Sequence, residues 1–304
     1  MSHRWVEFTL DIGCKNNCVY CPQQVLLREY YKHDKNRRAT INLRNFKALL
    51  KNIPKDVIID FAGFSEPCHN PDFTHMLDYA VEDGRKIYLF TTLSEITEEL
   101  VTKIAYTPSD VTVIHLPDAE GFTKIKITKQ YLQNLALYAA INKSGTQYMC
   151  VGEPHEKVKE IIDAEYIRDE KISARLELID RDALKELKFS TDAPVSWPKE
   201  TPILCNRRFS NNALEPRPTC AEATIVLPDG TVIPCCMDFE LAHPLGNLYY
   251  QTYDEIINGK IRMRFEAAMM AKNDDEIICR RCEWARPWCE HKWNGFKHEG
   301  IYGE

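Results

Sequence analysis

The sequence predicts an α/β fold, an open (β/α)6 barrel followed by a small C-terminal domain with a β-hairpin and a helix, on three observations. Short apolar runs of strand length alternate six times with helix-period segments in the first 186 residues. The loops that carry cysteine, glutamate and threonine follow the C-terminal ends of those runs, where parallel barrels keep their functional loops. Beyond a proline-rich stretch, six of the twelve cysteines crowd between Cys220 and Cys289.

Taken in order, Arg4 to Ile12 reads as a first buried strand that ends in a cysteine loop. Leu26 to Thr40, charged and tyrosine-rich, fits either a cover over that loop or a solvated segment. Leu43, Phe46, Leu49 and Leu50 have helical spacing, and Asp56 to Phe61 is a second strand ending in Gly63-Phe64-Ser65-Glu66-Pro67. Phe73, Met76, Leu77 and Ala80 mark the next helix, Lys86 to Phe90 the third strand, and Thr91 to Ser94 its turn. Ser94 has two readings, a site hydroxyl or the N-cap of a helix with Glu95 and Glu98 in its first turn. Strands follow at Asp110 to His115, Thr146 to Val151 and Ser173 to Ile179, with helices at Leu132 to Ile141 and His155 to Ala164 between them. His115, Asp118, Glu153, Arg175 and Glu177 lie on or just beyond these strands and suggest a polar mouth. Five prolines from Pro194 to Pro218 interrupt regular structure, so the expected division is barrel 1–186, linker 187–219 and C-terminal domain 220–304.

Composition narrows the class. A formal charge of −6 and a pI near 5.9 offer no basic face for nucleic acid or an anionic membrane. No run reaches the roughly 18 apolar residues of a membrane span, and the first residues do not open a signal peptide, so a cytoplasmic protein is expected. Twelve cysteines in 304 residues are too sparse for a disulfide scaffold, and their clustering points to metal sites in a reducing compartment.

Cys14, Cys18 and Cys21 are spaced C-x3-C-x2-C. Three thiolates in eight residues suit one face of an iron–sulfur cube with one iron left open; a zinc site or three buried thiols are the alternatives, zinc lacking a nearby fourth ligand before Cys68. The spacing, with Tyr20 just before the third cysteine, resembles the cluster loop of the radical S-adenosylmethionine (radical SAM) enzymes. That resemblance implies a partial TIM-like barrel and a 4Fe-4S cluster whose open iron is chelated by S-adenosylmethionine, with cleavage to a 5′-deoxyadenosyl radical. It further implies an electron donor such as flavodoxin or ferredoxin. Gly63, Ser65, Glu66 and Pro67 look like the family's Gly-Glu-Pro motif, which holds the SAM amino group, with Ser65 replacing the usual second glycine. Thr92 and Ser94 stand where relatives keep a hydroxyl or amide for the SAM carboxylate or ribose.

Cys220 to Cys236 reads as a hairpin turning at Pro228-Asp229-Gly230, which brings Cys220 and Cys235 together. Gly246-Asn247 follows, then a helix through Ile256, Ile257, Ile261 and Phe265, and then Cys279-x2-Cys282. A zinc ribbon would use the same two cysteine pairs. The pattern resembles the SPASM and twitch extensions of radical SAM enzymes, which implies an auxiliary 4Fe-4S cluster ligated by Cys220, Cys235, Cys279 and Cys282, Cys289 being a substitute ligand. Full SPASM domains have seven cysteines; here only Cys289 follows Cys282, so one auxiliary cluster is expected.

These ligands leave Cys236 beside the auxiliary site, and its weak S–H bond suits a hydrogen-atom donor. The expected function is redox-neutral epimerisation of a polar small molecule of the sugar or amino-sugar type. The alternatives are a dehydrogenase that passes an electron to the auxiliary cluster, modification of a ribosomal peptide, and a non-enzymatic metal-binding or redox-sensing protein. A barrel that starts within five residues of the N-terminus weighs mildly against a leader-peptide-binding domain there.

Overall fold

The structure, a computed structural model, describes residues 4–141, 146–169, 197–205, 223–282 and 285–287. Among the described residues its frame is one sheet of nine strands in the order β10-β9-β8-β1-β2-β3-β4-β5-β6, with β10 at Gly246–Asn247. β1 (Trp5–Phe8), β2 (Ile58–Phe61), β3 (Ile87–Thr91), β4 (Val111–His115), β5 (Thr146–Cys150) and β6 (Ile167–Asp169) run parallel. Parallel neighbours need crossovers, and these are supplied by α1 (Gln23–Tyr30), α2 (Leu43–Leu50), α3 (Phe73–Glu82), α4 (Glu98–Tyr106), α5 (Lys129–Ile141) and the short α6 (Glu156–Lys159).

β1 and β2 are buried on both faces, as their apolar runs require, while β3 alternates between buried and half-buried residues. Val6, Phe8, Ile59, Phe61, Leu89 and Ile114 belong to one core with Phe46, Leu49, Met76, Leu77, Val101, Ile104 and Leu135 of the helices. Inside it the rings of Phe46 and Phe61 stack at 5.6 Å, and Phe73 meets Phe61 edge-on at 5.5 Å. The alternate residues Trp5, Ile58 and Tyr88 form a separate cluster on the opposite, concave face.

Two expectations meet corrections, the Ser94 cap with Glu95 in its first turn and the helix from His155 to Ala164. Ser94 does not cap α4: Thr97 does, accepting from Leu100 N at 3.2 Å, because Leu93 and Glu95 have left-handed φ values of 54° and 53° that no helix tolerates. Glu95 therefore lies outside the helix and pairs with Lys126. The strand beside β5 is Ile167–Asp169; the expected strand at 173–179 lies outside the described residues. The expected helix from His155 to Ala164 is a single turn of α-helix followed by a 3-10 turn.

The hairpin of β8 (Ala223–Val226) and β9 (Thr231–Ile233) forms where its sequence placed it, with Gly230 at φ 83°. Its position is the surprise. β8 pairs in parallel with β1, Glu7 opposite Ile225, so the hairpin extends the barrel sheet. Tyr30 and Leu26 of α1 pack with Ile225, Leu227, Ile233 and Phe239, and Arg37 bonds Asp229 and Thr231 while its guanidinium lies 4.1 Å from the centre of the Tyr30 ring. The segment from Leu26 to Thr40 is thus the strap that fastens the hairpin to the barrel.

The expected C-terminal helix is two. α7 (Tyr253–Ile257) begins in a capping box between Thr252 and Glu255, and α8 (Lys260–Met269) begins at Gly259, which has extended φ and ψ. Within the proline-rich stretch, β7 (Ile203–Cys205) pairs antiparallel with β11 (Ala285–Pro287), setting Cys205 opposite Ala285.

Truncating Phe61 to alanine removes the ring shared by Phe46 and Phe73. The expected cost is about 3–5 kcal/mol, read as a lowered midpoint in urea unfolding followed by circular dichroism.

Candidate active site

A cavity of about 250 Å³ opens at the C-terminal ends of β1 to β4. Cys14, Cys18, Tyr20 and Cys21 line it, together with Gly63, Ser65, Glu66, Thr92 and His115. Pro67 and Ser94 do not; Pro67 opens a buried 3-10 turn, and Ser94 is buried behind the wall. Of the other expected mouth residues, Asp118 is a scaffold group that accepts from Phe122 N, Thr123 N and Thr123 Oγ1 at 2.7–2.8 Å. Glu153 is exposed and paired with Lys159. Arg175 and Glu177 lie outside the described residues.

The cysteine loop is fixed from both sides. Val19 N donates to Phe122 O at 2.8 Å and the Cys18 thiol to Thr123 O at 2.9 Å. On the other side Asn16 Nδ2 donates to Thr92 Oγ1 at 3.0 Å, and Ser94 Oγ donates to Asn16 Oδ1 at 2.7 Å. Burial raises the pKa of all three loop cysteines: Cys14, Cys18 by burial and then by Cys21 beside it, and Cys21 up to about 12. Neutral thiols are the stable form of the loop without a positive partner.

Glu66 holds the two neighbouring strand ends together. Its Oε1 accepts from Thr91 Oγ1 at 2.6 Å and Cys68 N at 3.2 Å, and its Oε2 from Thr92 N at 2.7 Å and Thr92 Oγ1 at 2.6 Å. With four donors the carboxylate is committed to the scaffold, which leaves the carbonyls around it as the acceptors open to a ligand's amine. Gly63 is required by a close approach: at φ 75° an added Cβ would stand 2.2 Å from Thr9 Oγ1, the atom that receives Phe64 N at 3.1 Å. Ser65 Oγ accepts from Asp11 N at 3.3 Å, which steers the same turn.

Sequence reasoning missed several wall residues. Glu7 and Asp60 sit side by side in register on β1 and β2, are 8% and 1% exposed, and line the cavity with Phe90, Met237 and Phe239. Their signal was a single acidic residue inside each otherwise apolar strand. Asn16 and Gln23 were passed over as loop polars.

The hairpin carries the second group of cysteines. Cys236 lines the same cavity as the loop cysteines. Cys235 is buried in a different cluster, with Cys279, Cys282, Phe265, Met269 and Ile203. Cys235 Sγ accepts from Met237 N at 3.4 Å, the kind of amide donor a ligating sulfur uses. Cys279 and Cys282 flank one turn, and Arg280 between them donates to the carbonyls of Pro198, Thr201 and Ala268. Cys220 and Cys289 lie outside the described residues.

Both donor sets fit iron–sulfur clusters. Among the described residues no three His, Cys, Asp or Glu side chains are placed to hold a metal ion as they stand, and the three loop thiols line one cavity. Three thiolates in one loop would suit three irons of a four-iron cluster.

Residues 220–283 match the SPASM family, described as an iron–sulfur cluster-binding domain. Among solved structures the chain is similar to BtrN in complex with AdoMet and 2-DOIA, at 13% identity and a TM-score of 0.57, over 93% of this chain and 92% of that one. It is similar to Streptococcus suis SuiB bound to precursor peptide SuiA, at 13% identity and TM-score 0.55, over 93% and 70%. It is also similar to anSMEcpe with bound AdoMet and Cp18Cys peptide, at 14% identity and TM-score 0.53, over 92% and 86%. These likenesses show a shared fold, an open and mostly parallel sheet with a cavity at its strand ends. No curated protein sequence matches the chain.

Thr92→Val is expected to leave Glu66 Oε2 with one donor and to take from Asn16 Nδ2 its acceptor, Thr92 Oγ1. A buried carboxylate that loses such a bond costs about 1.5–3 kcal/mol. Urea unfolding should show that loss in Thr92→Val and only a small part of it in Thr92→Ser.

Proposed function

We propose that the chain is a radical SAM enzyme that abstracts a hydrogen atom from a polar small molecule and returns one from Cys236, a redox-neutral epimerisation. Cys14, Cys18 and Cys21 hold the SAM-binding 4Fe-4S cluster, and Cys235, Cys279, Cys282 and Cys220 hold the auxiliary one. Bound there, cluster and SAM supply a 5′-deoxyadenosyl radical that takes one hydrogen atom from the substrate. Tyr20, Gly63, Ser65 and Thr92 shape the SAM subsite, with the carbonyls beside Glu66 accepting from its amino group. Ser94 and Pro67 support that wall from behind.

One observation carries the assignment of Cys236. At the turn after the hairpin Cys236 lines the cavity with the loop cysteines, while its neighbour Cys235 is buried with Cys279 and Cys282 in a cluster that Cys236 also touches. The Cys236 thiol gives its hydrogen atom to the substrate radical, closing the new C–H bond and leaving a thiyl. An external one-electron donor of the flavodoxin or ferredoxin class and a solvent proton restore the thiol. Glu7, Asp60 and His115 on the same wall favour a substrate with hydroxyl or amino groups.

The same carboxylates support a second reading. A dehydrogenase needs a base to take a proton from the substrate radical and an acceptor for its electron. Glu7 or Asp60 would be the base, and the cluster at Cys235, one peptide bond from the cavity wall, the acceptor. The fold likeness to a peptide-bound relative keeps peptide substrates as a third possibility for the assay.

Anaerobically reconstituted protein is expected to hold about eight irons in two four-iron clusters. Cys14/Cys18/Cys21→Ala should lose half of them and all 5′-deoxyadenosine formation; zinc in the C-terminal site would refute the auxiliary cluster. Turnover in heavy water should place one deuterium on the inverted carbon, because a thiol exchanges with solvent. Cys236→Ala should keep forming 5′-deoxyadenosine without releasing epimer. A product two hydrogens lighter, formed equally by Cys236→Ala, would establish the dehydrogenase instead.

A further inference from the structure

Gln23 begins α1 two residues after the last loop cysteine, is 3% exposed and lines the cavity. Its Nε2 donates to Phe64 O at 2.7 Å and to Cys21 Sγ at 3.3 Å. The orientation of a glutamine amide is normally open to a flip. Here it is fixed, because a carbonyl oxygen accepts and never donates, so the nitrogen has to face Phe64. One amide therefore spans the cysteine loop and the turn between Gly63 and Glu66.

That placement is costly. Gln23 Oε1 is buried and has no hydrogen-bond partner among the described residues. An unsatisfied buried acceptor loses its hydration for nothing, and a methionine or leucine would fill the same volume without that loss. What a hydrocarbon cannot do is donate to sulfur.

We infer that Gln23 is a positioning residue that sets the reduction potential of the cluster at Cys14, Cys18 and Cys21 through its Nε2–H to Cys21 Sγ. The inference rests on the radical SAM reading above and extends it. One-electron reduction adds negative charge that spreads onto the cluster's sulfurs. A donor aimed at a ligating sulfur stabilises the reduced state more than the oxidised one and so raises the potential; hydrogen bonds to sulfur are among the levers that set it. The link to Phe64 holds that donor at the wall where SAM binds, so cluster and SAM turn keep a fixed separation.

The test is a redox titration monitored by electron paramagnetic resonance on the reconstituted full-length protein, with dithionite as the electron source. The signal that changes on adding SAM belongs to the loop cluster, and the auxiliary signal is the internal control. Gln23→Met, unbranched and without an N–H, should make the loop cluster about tenfold harder to reduce, a shift near −59 mV for one electron. Gln23→Glu, which replaces the donor by a negative charge, should shift it at least as far, and the auxiliary potential should stay in place in both. In the wild-type protein with 15N in its glutamine side-chain amides, pulsed resonance of the reduced loop cluster should detect a 15N coupling that needs no variant to fold. An unmoved loop potential, a parallel shift of both clusters, or no 15N coupling would overturn the inference. Absence of any SAM-responsive signal in the wild type would overturn the functional reading itself, which separates the two failures.

Discussion

The site depends on one buried carboxylate. Glu66 takes two donors on each oxygen, from Thr91, Thr92 and the Cys68 amide, and so ties the end of β2 to the end of β3. Thr92 then receives Asn16, and Asn16 receives Ser94, so the cysteine loop after β1 is held in the same network. A buried charge is tolerable when hydrogen bonds replace its hydration, and those bonds are also what fixes three successive strand ends relative to one another. Parallel strands alone would align the loops only roughly; the carboxylate joins the cysteine loop and the turn from Gly63 to Glu66 into one wall.

The hairpin supplies the opposite wall by an equally simple constraint. β1 has an edge to cover, since the barrel is open, and β8 covers it in parallel register. Uncovered edges are liabilities, and this one is turned to use: the chain leaves the hairpin through Pro234 directly into Cys235 and Cys236 at the cavity rim. At that turn Cys235 is buried with Cys279 and Cys282 while Cys236 lines the cavity, so the proposed electron-accepting and hydrogen-donating roles fall to neighbouring positions in the chain.

Much of this was legible in the sequence because it is local. The strand runs at Ile58–Phe61 and Val111–His115, the three-cysteine loop and the turn at Gly230 each announce themselves within ten residues. What escaped is what depends on partners distant in sequence. The pairing of Glu7 with Ile225 is invisible until the sheet is assembled, and so is the pairing of Cys205 with Ala285 inside a stretch that read as a linker. Ser94 looked like an N-cap because hydroxyl and following acids have the right spacing, yet two left-handed residues beside it delay the helix to Thr97. Glu66 matched its motif, but the motif does not say that Thr91 and Thr92 already occupy its carboxylate.

Burial of the loop cysteines links folding, metal and protons. Free in this wall, the thiols are pushed up in pKa, with Cys21 near 12, because a low-polarity cavity disfavours thiolate. Iron binds the thiolate, so each ligand surrenders a proton on loading, and uptake strengthens as pH rises. The same low polarity then works in the other direction: once the iron is present, its positive charge is poorly screened and holds the thiolates firmly. A wall this dry resists the charging of its thiols. Gln23 and the Glu66 network hold the shape of that wall through hydrogen bonds of their own.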